Sequence, residues 1–310
     1  MALVLDLNPS IDRWYKVDDF KVYGSYKTRD FSVTPGGEGI NVAKVIREFY
    51  DSVTVAGFIG GEGGRYIERE LDRVGIGHRF IQVKGETRNV IRILGMDGRY
   101  TEIEEEGGSL SIDDVISFYE LYKELILDHD IICACGHLGS RLPQDIYRDL
   151  IVLAKEYGRK VFLNTSGEAL KLAVEALPFF IRLNKYELEE YIGCTIDSER
   201  EIIQAGKYLS DDGIEVVLIS LGEEGAIAFY DGYIYRIRVP RVEVTNPSGA
   251  GDSMVGGFIS AILRKYDFEF ALRMAAACGT ANVMEIEPGR FDMANMKRIM
   301  NDITITKSSF

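Results

Sequence analysis

Short apolar runs alternate along this chain with longer amphipathic stretches, and this alternation limits the possible fold more than any other feature. The apolar runs have the length of buried strands and lie at 3–7, 52–58, 130–135, 160–164, 179–183 and 214–221. Patterns of helical period lie at 39–50, 64–74, 111–127, 143–157, 168–176, 198–210, 249–264, 268–284 and 291–301. Strands that alternate with helices form mostly parallel sheets covered by helices on both faces. The sequence therefore predicts an α/β fold.

Two segments, 12–34 and 79–106, interrupt this alternation with residues that favour β-structure. The second contains Met96-Asp97-Gly98-Arg99, whose Asp-Gly pair is typical of a hairpin turn. We expect the two segments to pair into a small sheet separate from the main one. The 310 residues suffice for one large α/β domain with such an appendage, or for two domains.

The chain is strongly acidic, with 49 Asp and Glu residues against 36 Lys and Arg residues and a formal net charge of −13. Nucleic acids and anionic membranes bind basic surfaces, so we expect neither as a partner. A phosphorylated small molecule stays compatible with this charge, because a few cations can dominate a single cleft.

The sequence also favours a cytoplasmic location. Its first residues, Met-Ala-Leu-Val-Leu-Asp-Leu, are too short and polar for a signal peptide, and no apolar run has the roughly 18 residues of a membrane span. The spacing of Cys133 and Cys135 is a poor signal for a metal or a disulfide, so we expect buried thiols in a reducing compartment. The remaining cysteines are Cys194 and Cys278.

The most informative motif is the run Thr-Asn-Pro-Ser-Gly-Ala-Gly-Asp-Ser at 245–253, which leads into a helical pattern. Gly249, Ala250 and Gly251 are small, so backbone N–H groups can surround an anion at the helix N-terminus. Asp252 would repel a bound phosphate, but it makes sense as a base for a hydroxyl that attacks that phosphate. The alternative is an ordinary turn in which Ser248 caps the helix.

A second glycine-rich run, Pro-Gly-Gly-Glu-Gly-Ile-Asn-Val-Ala at 35–43, also leads into a helical pattern. Gly36, Gly37 and Gly39 leave backbone amides open to a polar ligand, and Asn41 offers both a donor and an acceptor to a sugar hydroxyl. The alternative is a flexible turn before a helix. No Gly-x-x-x-x-Gly-Lys-Ser/Thr motif occurs, which excludes a P-loop protein.

Polar residues follow three further strand-like runs. Asp12 follows the first run, where open parallel sheets bind ligands, and could accept two sugar hydroxyls. Asn184 and Glu187 share one face of a starting helix, and such oxygen ligands suit Mg²⁺. The run Ser-Leu-Gly-Glu-Glu-Gly at 220–225 could line a nucleotide site. Each site has a structural alternative. Asp12 could only form a turn, Asn184 and Glu187 could only mark a helix N-terminus, and residues 220–225 could be a tight hairpin turn.

Together, and in this order, these motifs resemble the ribokinase/pfkB family of sugar kinases. Three segments are similar to its phosphosugar branch, the 1-phosphofructokinase and tagatose-6-phosphate kinase group: Asn-Pro-Ser-Ile-Asp at 8–12, Gly-Glu-Thr-Arg-Asn at 85–89 and Asn-Thr-Ser-Gly-Glu-Ala-Leu at 164–170. The resemblance implies a single domain over 1–310 with a three-layer α/β/α body, a mostly parallel central sheet, and a β-sheet lid from about 12–34 and 88–106. It also implies ATP and Mg²⁺ as cofactors and a homodimer formed through the lids.

The resemblance further implies a role for each matching residue. Asp252 would be the base, with Gly249, Ala250 and Gly251 as the anion hole. The substrate-binding residues would be Asp12, Lys27, Arg29, Gly36, Gly37, Asn41, Arg88, His137 and Asp252. The ATP-binding residues would be Asn184, Ser220, Gly222, Gly225, Ser248, Gly249, Gly251 and Asn282. Glu187 would hold Mg²⁺ through water.

The chain departs from the branch pattern at three places. Glu38 stands where lysine is frequent, Asn164 replaces an aspartate, and a segment with His137 and a short insertion replaces Ser-Gly-Ser-Leu-Pro. Glu38 and His137 are expected near the sugar and Asn164 nearer ATP. Glu38 would then pair with Arg88, Lys27 or Arg29, or point to solvent, unless the substrate's phosphate lies elsewhere or is absent.

The expected function is an ATP-dependent kinase of a ketohexose phosphate, with fructose 1-phosphate, which would give fructose 1,6-bisphosphate, as the first candidate. Tagatose 6-phosphate and fructose 6-phosphate are close alternatives. A kinase of an unphosphorylated sugar or nucleoside is a second class, and a non-catalytic sugar sensor a third. The cations Arg88, Lys27 and Arg29 favour the phosphosugar, since an arginine can grip phosphate in two places, whereas Glu38 favours the unphosphorylated class.

Overall fold

A large twisted sheet crosses the computed structural model, which describes residues 1–95 and 100–309. In this part of the chain, ten strands follow the order β14-β13-β12-β11-β10-β9-β8-β1-β4-β5. The parallel ones are β1 (Ala2–Asp6), β4 (Val53–Ile59), β5 (Gly77–Gln82), β8 (Ile131–Cys135), β9 (Lys160–Asn164), β10 (Phe180–Asn184) and β11 (Val216–Ser220). The antiparallel edge consists of β12 (Ala226–Tyr230), β13 (Tyr233–Arg238) and β14 (Thr304–Ser309).

Helices cover both faces of this sheet. They are α1 (Glu38–Glu48), α2 (Gly61–Val74), α3 (Ile112–Asp128), α4 (Ile146–Glu156), α5 (Gly167–Val174), α6 (Lys185–Ile192), α7 (Glu199–Asp211), α8 (Ala250–Leu263), α9 (Phe268–Asn282) and α10 (Met293–Asp302). Side chains alternate along each strand, so Val4 of β1 belongs to the core that contains residues of α1, α2, α8, α9 and α10, while Leu5 belongs to the core that contains residues of α3 to α7. The predicted three-layer α/β/α fold is confirmed.

A second, four-stranded sheet stands apart from the first, in the order β3-β2-β6-β7. Its strands are β2 (Ser10–Lys16), β3 (Phe31–Gly36), β6 (Asn89–Leu94) and β7 (Tyr100–Glu104). We call it the small sheet. Its strands come from the two segments that the sequence marked as β-rich. Residues 79–82 do not belong to it, because they lie in β5, which pairs with β4 in the large sheet.

The antiparallel edge of the large sheet was missed by the sequence analysis. The edge strand β14 is exposed over nearly its whole length, so it lacks the apolar alternation by which strands are recognised. The predicted turn at Met96–Arg99 lies outside the described residues. Within the described ranges, no helix is long and apolar enough to cross a membrane.

The parallel strands bring several polar residues to one edge of the large sheet. Asp6 ends β1, Asn164 ends β9, Asn184 ends β10 and Ser220 ends β11. The carboxyl ends of parallel strands meet at the same edge, which is where open α/β sheets bind ligands. The small sheet contributes Asp12 to the same region.

Candidate active site

The turn before α8 is formed by the backbone and not by a side-chain cap. Gly249 is the N-cap residue with a left-handed φ of +78°, and no side chain accepts a capping hydrogen bond there. Ser248 therefore does not cap the helix, and that alternative is wrong. A Cβ at Gly249 would lie 2.7 Å from Cβ of Pro288. The first N–H groups of α8, at the positive end of its dipole, can thus serve an anion.

Asp252 lies in the first turn of α8 and is only 7% exposed. Its Oδ2 accepts a hydrogen bond from Nδ2 of Asn41 at 2.9 Å, and its Oδ1 accepts one from Nδ2 of Asn164 at 3.0 Å. Burial raises the pKa of Asp252 to about 6, although both asparagines and the charge of Arg182 oppose the rise. Such a carboxylate is ionised at neutral pH and still basic enough to take a proton.

The glycine loop before α1 lies against two carboxylates. A Cβ at Gly36 would come within 1.9 Å of Oδ1 of Asp12, and one at Gly37, whose φ is +119°, within 2.3 Å of Oδ2 of Asp6. Asp6 also accepts a hydrogen bond from the backbone N–H of Ile40 at 2.9 Å. Burial raises the pKa of Asp6 to about 7. Asp6 was not predicted as a site residue, since its only signal in the sequence was a carboxylate at the end of an apolar strand.

The small sheet carries Asp12 on the face turned toward Asp252. Asp12 lies within β2, where its Oδ2 accepts a hydrogen bond from Nη1 of Arg92 at 2.8 Å. Arg92 also pairs with Glu102 and lies 5.0 Å from the ring of Trp14. Asp12, Arg92 and Asn41 border a polar cleft together with Glu38, Arg88, His137, Glu187 and Asp252. We call this space the polar cleft.

Two arginines contact Asn8, which borders the polar cleft; Arg88 lines the cleft as well, whereas Arg141 is not among its lining residues. Nε of Arg88 donates to the backbone oxygen of Asn8 at 3.1 Å, and Nη2 of Arg141 donates to Oδ1 of Asn8 at 2.5 Å. Burial and the neighbouring charge of Arg88 lower the pKa of Arg141. Arg88 also pairs with Glu104 at 3.0 Å. Arg141, which stands in the short insertion, was missed by the sequence analysis.

The other predicted substrate residues are placed differently. His137 is exposed at the rim of the polar cleft, where its Nδ1 accepts a hydrogen bond from the N–H of Gly139 at 3.0 Å. Lys27 and Arg29 are exposed on the segment between β2 and β3 and are not among the residues that line the cleft. The chain therefore does not bring these two cations to its own site.

Glu38 is placed against Asp252 and not against the arginines. Its Oε2 accepts a hydrogen bond from Nδ2 of Asn164 at 3.0 Å. The expectation that Glu38 pairs with Arg88, Lys27 or Arg29, or points to solvent, is wrong. Asn164 is buried between Glu38 and Asp252, so its expected place nearer the ATP side is also wrong.

A second groove adjoins the first across the turn at Gly249–Gly251. Its polar end holds Asn184, Ser220, Gly222 and Gly225, and its wall is apolar, with Val242, Val244, Met254, Ala276 and Val283. We call it the apolar groove. Arg182, Ala250 and Gly251 border both spaces, whereas Ser248 and Gly249 border the polar cleft. A flat apolar wall beside an anion-binding turn suits a nucleotide.

Asn184 and Glu187 form a reciprocal capping box at the start of α6. The N–H of Glu187 donates to Oδ1 of Asn184 at 2.8 Å, and the N–H of Asn184 donates to Oε2 of Glu187 at 2.6 Å. Asn184 and Glu187 therefore cap the helix, as the alternative interpretation predicted. Glu187 also borders the polar cleft. Among the described residues, no three acidic, histidine or cysteine side chains form a preformed metal site.

Arg182 separates the two spaces, and the sequence analysis missed it. Its Nη2 donates to Oγ of Ser220 at 2.7 Å, and a Cβ at Gly251 would lie 2.3 Å from its Cζ. Its guanidinium therefore covers the anion-binding turn. A single cation inside the apolar run Phe-Ile-Arg-Leu-Asn of β10 was the available signal. Asn282 lies behind the turn, where its Nδ2 donates to the backbone oxygen of Arg290 at 3.1 Å.

Comparison with known proteins connects this site to a family. A model of the pfkB family of carbohydrate kinases matches residues 2–291. The chain is 34% identical over 308 residues to tagatose-6-phosphate kinases of Staphylococcus epidermidis strains RP62A and ATCC 12228, covering 98% of this chain and 99% of each relative.

Among solved structures, phosphofructokinase-2 of Escherichia coli in complex with substrates and products is 23% identical to this chain. Its TM-score is 0.89, and the match covers 97% of this chain and 98% of that one. At this identity the likeness shows the fold alone, which agrees with the three layers described above. The matches extend over nearly the whole chain and confirm the resemblance inferred from the motifs. The chain belongs to the pfkB family of carbohydrate kinases and is an ATP-dependent carbohydrate kinase.

Proposed function

We propose that this kinase transfers the γ-phosphoryl group of ATP to a hydroxyl of a ketohexose phosphate, with Asp252 as the base. The observation that carries the proposal is the position of Asp252, in the polar cleft and beside the anion-binding turn that adjoins the apolar groove. In the reaction, Asp252 takes the hydroxyl proton, the hydroxyl oxygen bonds to phosphorus, and the bond from phosphorus to ADP breaks.

The free acceptor atom of Asn41 supports the binding of a sugar hydroxyl beside Asp252. Asn41 is buried, its amide nitrogen is used by Asp252, and its Oδ1 has no hydrogen-bond partner among the described residues. A buried acceptor without a donor costs free energy, and a ligand hydroxyl would satisfy it. Asp12, held by Arg92, offers further oxygens to the same ligand.

The nucleotide would lie along the apolar groove, with its terminal phosphate at Gly249–Gly251. Arg182 covers that turn and would meet the phosphate oxygens. Mg²⁺ commonly binds one or two carboxylates together with substrate phosphates and water, and Glu187 fits that role beside the turn. When bound, the metal supplies positive charge that stabilises the transferring phosphoryl group.

The substrate's own phosphate would bind at Arg88, which lines the polar cleft, with the charge of Arg141 beside it on Asn8. Glu104 pairs with Arg88 at 3.0 Å and would give up part of this contact to the phosphate. The guanidinium group of Arg88 can then grip the phosphate of a ketohexose phosphate in two places. The charges that act on Glu38 are those of Asp252, Glu187, Arg182 and Asp6. The presence of Glu38 is therefore not evidence for a neutral sugar.

Among ketohexose phosphates, we place tagatose 6-phosphate first. The relatives that are 34% identical over 98% of the chain are named tagatose-6-phosphate kinases. Fructose 1-phosphate and fructose 6-phosphate remain the alternatives. An ADP-release assay with these three compounds and the matching free sugars tests the proposal. We expect kcat/KM to be highest for a phosphosugar. Higher kcat/KM for a free sugar or a nucleoside would contradict the proposal.

We expect Arg141→Gln to raise KM for the phosphosugar by about tenfold, because it removes a positive charge beside Arg88 and the contact that holds Asn8. KM for ATP should stay unchanged. Steady-state kinetics with each substrate varied in turn measures both. Arg148→Gln is the matched control, since Arg148 is paired with Asp145 and Asp149 on the surface of α4. Equal KM values for both variants would remove Arg141 from the phosphate site.

We further propose a homodimer formed through the small sheet. In its register Tyr15 is opposite Phe31 and Ile93, and Ile91 is opposite Ile103, which places these side chains on the face away from Asp12. Phe31 is 58% and Ile103 is 53% exposed. Trp14 lies on the face of Asp12 and is buried beside Arg92.

Phe31→Asp should convert the dimer to a monomer at micromolar concentration, because it places a charge within an apolar interface. Light scattering of the wild type and the variant measures this. Tyr186→Asp, on α6, is the control, since Tyr186 is 73% exposed and belongs to another surface. A wild-type protein that is monomeric under these conditions would refute the dimer.

A further inference from the structure

Asn164 connects two carboxyl groups through a single amide nitrogen. Its Nδ2 donates to Oδ1 of Asp252 at 3.0 Å and to Oε2 of Glu38 at 3.0 Å. Both amide hydrogens are thereby used, and Asn164 is buried. Asn41 holds the other oxygen of Asp252 at 2.9 Å. The orientation of the Asp252 carboxylate therefore depends on two amides, and the orientation of one of these depends on Glu38.

The charges around this group are mostly negative. Those that act on Glu38 come from Asp252 on α8, Glu187 on α6, Arg182 on β10 and Asp6 on β1. The thiol of Cys135 and the hydroxyl of Tyr147 are the other titratable groups that respond to Glu38. A donor that is neutral and has two N–H groups can join two carboxyl groups without adding charge. An aspartate at position 164 would instead bring a third carboxyl group to the same point.

We propose that Glu38 and Asn164 are a positioning pair that aims the carboxylate of Asp252, and that a carboxyl group at position 38 requires an amide at position 164. The proposal rests on the role of Asp252 as the base. It makes Glu38, which lines the polar cleft, a residue that acts on the reaction through Asn164.

Glu38 and Asn164 lie 126 positions apart in the sequence, and the fold brings them into direct contact. Residues in one hydrogen-bond network usually show non-additive effects when both are changed, so the pairing can be measured.

The first test is a double-mutant cycle with Asn164→Asp and Glu38→Lys. Asn164→Asp should lower kcat by about 100-fold, because it removes a hydrogen bond to Asp252 and adds a like charge. Glu38→Lys should lower kcat by about tenfold, because its ammonium group draws the Asp252 carboxylate away from the substrate. In the double variant, the introduced ammonium and carboxylate groups can pair with each other, so kcat should exceed that of either single variant.

The second test separates positioning from packing. Glu38→Gln keeps an oxygen that accepts from Asn164, and kcat should stay within about threefold of the wild type. Glu38→Ala removes the acceptor, and kcat should fall by about tenfold or more while KM for the sugar phosphate is unchanged. Thermal unfolding of each variant shows whether a loss of kcat reflects a loss of structure.

Two outcomes would overturn the positioning pair: losses that simply add in the double variant, or a wild-type kcat in Glu38→Ala. A rise in KM for the sugar phosphate with unchanged kcat would assign Glu38 to substrate binding instead. If Asn164→Asp fails to fold, the comparison of Glu38→Gln with Glu38→Ala still decides. These outcomes differ from failure of the base assignment, which would appear as an active Asp252→Asn variant with Glu38 and Asn164 intact.

Discussion

Replacing Asp252 by asparagine should lower kcat by about 10²- to 10⁴-fold, the size of effect that general-base catalysis provides. The substitution keeps the size and polarity of the side chain but removes the group that accepts the hydroxyl proton. KM for ATP should change little, because Asp252 borders the polar cleft and does not line the apolar groove. Steady-state kinetics with saturating sugar phosphate measures both values.

Thermal unfolding is the control for this variant. Asparagine can keep only part of the present contacts, because the amides of Asn41 and Asn164 both donate to Asp252. A small change in Tm together with a large loss of kcat would place the effect in the chemistry. A variant within tenfold of the wild type would show that another group takes the proton.

Gly249→Ala should have the second-largest effect, with a loss of about 10²- to 10³-fold in kcat, as for the removal of anion-stabilising donors. Gly249 has a φ of +78°, and a Cβ there would lie 2.7 Å from Cβ of Pro288 and 3.0 Å from Oδ1 of Asn282. The turn must shift to admit the methyl group, and the first N–H groups of α8 shift with it.

Gly232→Ala is the matched control for the backbone strain. Gly232 has nearly the same φ, +75°, but an added Cβ there meets nothing within 4 Å. Both variants should lose about 1–2 kcal/mol of stability from the left-handed conformation alone. Only Gly249→Ala should lose activity, and equal kcat values in the two variants would argue against the anion-binding turn.

The local motifs were predictable because their conformation depends on consecutive residues. The glycine loop at 35–39 and the turn at 249–251 were recognisable from small residues before a helical pattern, and both lie at the site. Six of the parallel strands were recognisable as short apolar runs, since buried strands in α/β proteins are apolar on both faces, whereas the edge strand β5 is only partly buried and was not recognised. Asp252 followed from its position after the turn.

The partners of these residues were not predictable, because they depend on contacts between distant elements. Arg141 reaches Asn8 across 133 positions, and Glu38 meets Asn164 across 126. A sequence shows the charge of Glu38 but not the direction in which its side chain points. The same limit applies to Lys27 and Arg29. Their charges led to the prediction that they bind phosphate, but neither side chain lines the polar cleft.

The most direct test of the account is the pH dependence of a single turnover of bound ATP and sugar phosphate. The pKa of Asp252 is raised from its ordinary value to about 6 by burial. Because the base must be ionised to take a proton, the wild-type rate should be constant above that pH. Below it, the rate should fall about tenfold for each pH unit. Asp252→Asn should retain a low rate without this dependence. A wild-type rate that stays constant through pH 6, or the same decline in Asp252→Asn, would contradict the assignment of Asp252 as the base.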